Sequence, residues 1–139
     1  MNVAQLLIAN RTVCIDRTVC RGVHIPGPIS PVPGAPDWIL GAWGYLGRVV
    51  SVVDLARMTG WGSVARPVGV ILLVELGREL LAIAADKDLG ESRVLAPDRS
   101  DGLFDPIEVD PPSKDPPQLL EVARLPMEFE AALLRGPRR

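Results

Sequence analysis

Five of the eleven residues from Pro26 to Pro36 are proline (Pro26, Pro28, Pro31, Pro33 and Pro36). Each fixes φ near −65° and removes a backbone donor, so neither a helix nor a central strand can run through this stretch. It reads as a stiff extended connection on the surface. The same punctuation extends along the chain, where 14 prolines and 13 glycines in 139 residues leave room for short segments only. A mainly β architecture follows, with a core of modest size: 47% apolar and 23% charged residues describe an ordinary globular chain.

Between the breakers, the strands are legible from β-branched residues. Arg48-Val-Val-Ser-Val-Val-Asp54 is the clearest, because β-branched side chains fit a pleated surface and lose rotamer freedom in a helix. Val49, Val50, Val52 and Val53 are expected to be in strand and mostly buried. Val68–Glu75 and Leu80–Ala85, joined by Leu76-Gly77-Arg78-Glu79, read as a hairpin. A helix across 68–85 is the rival, and each of Gly69 and Gly77 would cost it about 1 kcal/mol. Residues 97–118 hold six prolines and six acids (Asp98, Asp101, Asp105, Glu108, Asp110, Asp115) against Arg99 and Lys114. They are expected to form a long, solvated loop. Leu119–Leu125 reads as a strand and Pro126–Leu134 as a short helix, with proline in its first turn and acids near its start. The Arg135–Arg139 ending reads as a frayed tail.

Chemistry is sparse. A formal charge of −2, with 15 basic residues scattered along the chain, argues against a nucleic-acid partner. The apolar run Val68–Val74 is broken by Glu75, Arg78 and Glu79, too soon for a membrane helix, and Met1–Arg11 lacks the pattern of a signal peptide. A cytoplasmic location is expected. There Cys14 and Cys20 should be free thiols in buried positions. With His24 as the one histidine, no four-ligand zinc site can be assembled. His24 reads as a structural residue at the end of a strand, and Asp86 and Asp88 as turn residues. The glycines of Gly41-Ala-Trp-Gly-Tyr-Leu-Gly47 lack the dinucleotide or phosphate-loop spacing and suit a bend instead. Trp38, Trp43 and Trp61 are core anchors or binding hot spots. No catalytic constellation, metal site or cofactor site emerges.

Two blocks carry a family resemblance: Ile29-Ser-Pro-Val-Pro-Gly-Ala-Pro-Asp-Trp-Ile-Leu-Gly41, then Gly47-Arg-Val-Val-Ser-Val-Val-Asp-Leu55. Together they resemble the CheW-like domain, with its proline-valine-proline approach, hydrophobic pair before Gly41, short turn and Gly-Arg-Val-Val strand ending in Asp54-Leu55. The likeness runs from about Val19 to Asp86. It implies one domain across residues 1–139, built of two small SH3-like β-barrels packed together with short helices. It also implies a non-enzymatic adaptor that binds the cytoplasmic tip of chemoreceptors, the regulatory domain of a CheA-type histidine kinase, and other CheW-like proteins. Gly41, Gly47, Asp54 and Leu55 are then structural motif residues.

The departures from the family define the candidate binding residues. The family turn reads Asn-Leu-Arg-Gly with a receptor-binding arginine, but this chain has Gly44-Tyr45-Leu46-Gly47. Leu46 cannot supply a bidentate charged contact. Two further receptor-facing positions, a Val and a Glu in the family, fall at Cys20 and Gly22. Ser51 stands where the family strand has proline, and the closing hairpin is replaced by a divergent segment, 119–139, containing Leu125-Pro-Met-Glu-Phe-Glu130. Cys20, Gly22, Trp43, Tyr45, Leu46 and Arg48 are therefore the candidate partner face, with Trp43, Tyr45 and Leu46 expected to be exposed beside glycines.

Overall fold

In a computed structural model the described residues are 1–98, 100–109 and 114–136. Arg99, Asp110, Ser113 and the last three residues of the expected tail lie outside them. The chain forms two antiparallel-rich sheets of five strands each. The first has the order β8-β1-β2-β10-β9 and the second β3-β6-β7-β5-β4. The strands are β1 (Asn2–Ile8), β2 (Arg11–Asp16), β3 (Cys20–His24), β4 (Ile39–Tyr45), β5 (Arg48–Val53), β6 (Val70–Leu76), β7 (Glu79–Ala85), β8 (Lys87–Arg93), β9 (Phe104–Pro106) and β10 (Gln118–Leu120). Helix α1 (Leu55–Thr59) follows β5, and α2 (Leu125–Arg135) follows β10.

The second sheet is where the sequence is most regular. β6 and β7 pair antiparallel from Val70↔Ala85 to Leu76↔Glu79, with Gly77 at φ 61° in the turn. This is the expected hairpin, and its β-branched and leucine-rich strands bury both faces: Ile71–Val74 and Leu81–Ala85 are all buried. β5 lies parallel to β7 and antiparallel to β4. Ser51 joins both ladders, opposite Ala42 and Leu81, where a proline would leave one bond unmade.

The proline connection ties this sheet's edges together. β3 pairs with β6 as far as His24↔Ile71, and further along the same segment Ser30 exchanges two backbone hydrogen bonds with Ala42 of β4, at 2.9 and 2.8 Å. That approach needs Gly41. At φ 151°, a Cβ there would stand 2.4 Å from the Ser30 carbonyl oxygen. The bend expected at this glycine is thus a strand position where another backbone comes close.

One apolar cluster joins both sheets, running from Leu6, Ile8, Val13 and Ile15 through Val52, Leu73 and Ile83 to Leu125 on α2. A smaller one, Val3, Cys14, Ile107 and Leu119, lies against the other face of the first sheet. Two aspartates fasten the segment between α1 and β6. Asp54, 1% exposed, caps α1 by accepting from the Arg57 N–H and also accepts from the Val64 N–H. Asp86 accepts from Ala9 N–H at 2.9 Å and Ala65 N–H at 2.6 Å, so it links the β1–β2 turn to the same segment.

Several expectations need correction. Asp88 lies in β8, not in a turn; this polar edge strand, bulged between Gln5 and Leu6 of its partner, shows no alternating pattern to read. The stretch 97–118 is not one solvated loop: it contains β9, and Leu103, Asp105 and Ile107 are buried. Within 119–125 only Leu119 and Leu120 are in strand, since Val122–Arg124 turns into a 3₁₀ helix before α2. Val49 is in strand but 82% exposed, while Val50, Val52 and Val53 are buried. Cys14 is buried as expected; Cys20 is only half-buried, and both thiols are free.

Candidate partner-binding face

β4 and β5 turn through Leu46 and Gly47, both at positive φ, 47° and 76°. This is the geometry that lets a two-residue loop follow the strand twist. Glycine holds it without strain, whereas a leucine in the left-handed region costs about 1–2 kcal/mol. Leu46 is nevertheless 84% exposed, so packing does not repay that strain. Val49 stands beside it for a separate reason: its cross-strand partner is Gly44, which offers no side chain to cover it. The hairpin tip therefore carries two uncovered aliphatic groups.

Trp43 and Tyr45 do not join them. Trp43 pairs with Val50, which is buried, so both point to the inner side of the sheet, and Tyr45 follows two residues on. The expectation of exposed Trp43 and Tyr45 is corrected to half-buried rings, stacked on each other at 5.4 Å. His24 completes the group, 5.5 Å from Trp43 and 5.2 Å from Tyr45. These rings fill the gap between β3 and β4, which no backbone ladder spans at this level. The Nε2 of His24 is covered without a hydrogen-bond partner, and a Cβ at Gly22, where φ is 106°, would stand 3.2 Å from it. Gly22 thus leaves the space that the imidazole occupies.

Of the six candidate residues, Gly22, Trp43, Tyr45, Leu46 and Arg48 are brought together around His24 and the hairpin tip. Arg48 sits opposite Tyr45, exposed, and among the described residues no carboxylate pairs with it. Cys20 lies apart, at the other end of β3, where its thiol donates to the Asp16 carbonyl at 3.3 Å. Burial, reinforced by the Asp16 charge, pushes this thiol up to about 11, so it is not a nucleophile near neutrality. Beside it Arg21 pairs with Glu75 across β3 and β6. His24 is the residue that sequence reasoning set aside. The available signal was positional: a histidine two residues after a glycine, ending a strand, in a chain with aromatic residues spaced two apart at Trp43 and Tyr45.

Among the described residues no group of His, Cys, Asp or Glu is arranged to hold a metal ion, and no helix is long and apolar enough to cross a membrane. What the face offers is contact surface. No curated protein matches the chain. The solved structure of the scaffolding protein TtCheW from Thermoanaerobacter tengcongensis superposes with a TM-score of 0.71 at 17% identity, covering 89% of this chain and 90% of that one. The family model for the CheW-like domain matches residues 3–98, a wider span than the two sequence blocks. With both sheets and the Gly41–Leu55 motif in place, the chain belongs to the CheW-like domain family.

Proposed function

We propose that the chain works as a single CheW-like adaptor domain in the cytoplasm of a bacterial chemosensory system, joining chemoreceptor tips to a CheA-type kinase or to other CheW-like proteins. The hairpin tip of Leu46 and Val49, flanked by Arg48, is the contact we assign to a protein partner. One observation carries this reading: Leu46 keeps a strained left-handed backbone while its side chain stays 84% exposed. Strain at a position that nothing inside the fold repays marks a residue held for an external contact. Two adjacent aliphatic groups are more favourably covered than wet. The family's receptor-binding arginine is absent at this turn, so the contact is apolar, with Arg48 left as the nearby charge.

Leu46→Arg restores the family residue and, at so exposed a site, should leave the melting temperature within about two degrees of the parent. Binding to the present partner should fall about tenfold or more in a pull-down against receptor tips, kinase regulatory domains and sister adaptors. Unchanged binding to every partner that the parent captures would remove the tip from the interface. A parent chain that captures none of the three classes would place it outside the receptor and kinase system, as an interaction module for some other protein. Trp43 is unsuited to this test, because truncating a stacked, half-buried ring disturbs the fold and the surface together.

A further inference from the structure

On another part of the surface, the β1–β2 turn forms one wall of an open cavity of about 450 Å³, closed by Trp61 and by Lys114, Asp115, Pro116 and Gln118. The turn is tight, with Ala9 and Asn10 at φ 47° and 66°, and it returns the chain so that Arg11 meets Trp61. The guanidinium carbon lies 4.5 Å from the indole centroid. The indole packs 4.6 Å from the Phe104 ring, and the Trp61 main chain is tied by its N–H donating to Ala56 O at 2.8 Å. A guanidinium laid over an indole keeps its charge and its N–H edges while losing the freedom of a surface side chain.

Lys114 brings a second cation to the same cavity. Among the described residues no carboxylate forms an ion pair with either Arg11 or Lys114. Among the described residues Asp115 is the one carboxylate in the lining, and the other polar side chains there are Asn10, Thr12 and Gln118. The Gln118 amide is oriented by its donation to Pro116 O at 3.2 Å. Among the described lining residues two cations stand against one anion, and the volume is that of a small-molecule site. A planar guanidinium edge matches two oxygens of one anion, and an ammonium adds a point charge with no demand on direction.

We propose that this cavity binds a small oxyanion, a phosphate or a carboxylate, gripped by the Arg11 guanidinium and supported by Lys114. The site does not depend on the adaptor reading, since it shares no residue with the β4–β5 hairpin.

The test is a titration of the full ¹⁵N-labelled chain, following the indole N–H resonance of Trp61, which Trp61→Phe identifies. Sodium phosphate is added in one arm and sodium succinate in another, with sodium chloride holding ionic strength constant. The Trp61 indole should shift saturably while those of Trp38 and Trp43 stay in place. Arg11→Gln and Arg11→Lys should each weaken the apparent Kd about tenfold, the second because it keeps charge but loses the fork. Lys114→Gln should weaken it about threefold. Saturation in the phosphate arm alone, or the succinate arm alone, assigns the oxyanion to that source. A shift that never saturates, that moves all three indoles alike, or that is unchanged in both Arg11→Gln and Lys114→Gln overturns the site. Unmoved Trp38 and Trp43 resonances certify that a variant is folded. If Arg11→Gln fails that check, Lys114→Gln decides alone.

Discussion

The two sheets have the same number of strands but are held in different ways. In the sheet of β3 to β7, two long strands, β6 and β7, are buried on both faces, and the edges are tied through Ser30 and Ala42. In the sheet of β1, β2, β8, β9 and β10, one edge is the exposed, charged β8 and the other is β9, three residues long. That second edge leans on polar contacts. Asp105 is 4% exposed, accepts from the Asp101 N–H at 3.1 Å and leaves its other carboxylate oxygen without a partner, while Arg124 holds Ser100 through its hydroxyl and carbonyl. The difference teaches that the family fold can be stabilised mainly in one sheet and finished in the other by a segment of quite different composition. The family match itself ends at residue 98, before β9 and β10 begin.

The comparison can be broken most directly in the two cores. Ile83→Ala removes a fully buried side chain from the double-faced strand and should cost about 4 kcal/mol in urea unfolding. Leu119→Ala, in the small cluster under the first sheet, should cost about 2 kcal/mol. Equal losses would end the claim that one sheet dominates. Between these two in size is Gly41→Ala, which sets a methyl against the Ser30 carbonyl and should cost about 2–3 kcal/mol while raising amide exchange at Ser30 and Ala42 together. An effect confined to one of the two would mean that the connection does not tie the edges.

The smallest effect is a pH dependence local to β9. Burial, then the neighbouring Asp105, raises the Glu121 carboxyl above its ordinary value. A raised acid favours the folded state while protonated, so its contribution is complete below the unfolded value and fades as pH rises through the folded one. Asp105 behaves oppositely. Burial opposes its ionisation, but the Asp101 N–H, the polar neighbours Glu121 and Ser100 and the Arg124 charge outweigh this and hold it low, so its contribution fades as pH falls. Amide exchange over Leu103–Ile107, corrected for intrinsic rates, should therefore be slowest at mildly acidic pH. Glu121→Gln should flatten the alkaline side alone. A profile identical to that of β6 and β7 would show that the edge has no titration of its own.

The same contrast explains what was legible in the sequence. β5 and the β6–β7 hairpin could be read because β-branched residues and a central glycine express burial directly in residue type. β8 could not: Lys87-Asp-Leu-Gly-Glu-Ser-Arg93 is an edge strand made of polar residues, held by backbone pairing to β1 and not by an apolar face. β9 was hidden among prolines, with a buried aspartate where a buried residue is expected to be apolar. Of the candidate face, the turn and its departure from the family were visible as Leu46 and Gly47. The division of Val49 from its neighbouring valines was not, because it depends on Gly44 lying opposite, which is a matter of register. His24 escaped for a similar reason: its ring partners are on β4, about twenty residues further along and at the opposite edge of the sheet, and the two edges meet only in the folded chain, where Ser30 bridges to Ala42.

The parallel insertion of β10 beside β2, with Gln118 against Val13, has a consequence for the order of assembly. Every strand of the β3-β6-β7-β5-β4 sheet lies between residues 20 and 85, so that sheet can close from one continuous stretch of chain. The other sheet cannot: β1 and β2 are made first but wait about a hundred residues for the strand that completes their row, a separation that makes pairing slow. The continuous sheet can thus close before the strand that completes the other one has been made. During synthesis the β1–β2 hairpin emerges with an edge on β2 whose partner, β10, is made about a hundred residues later.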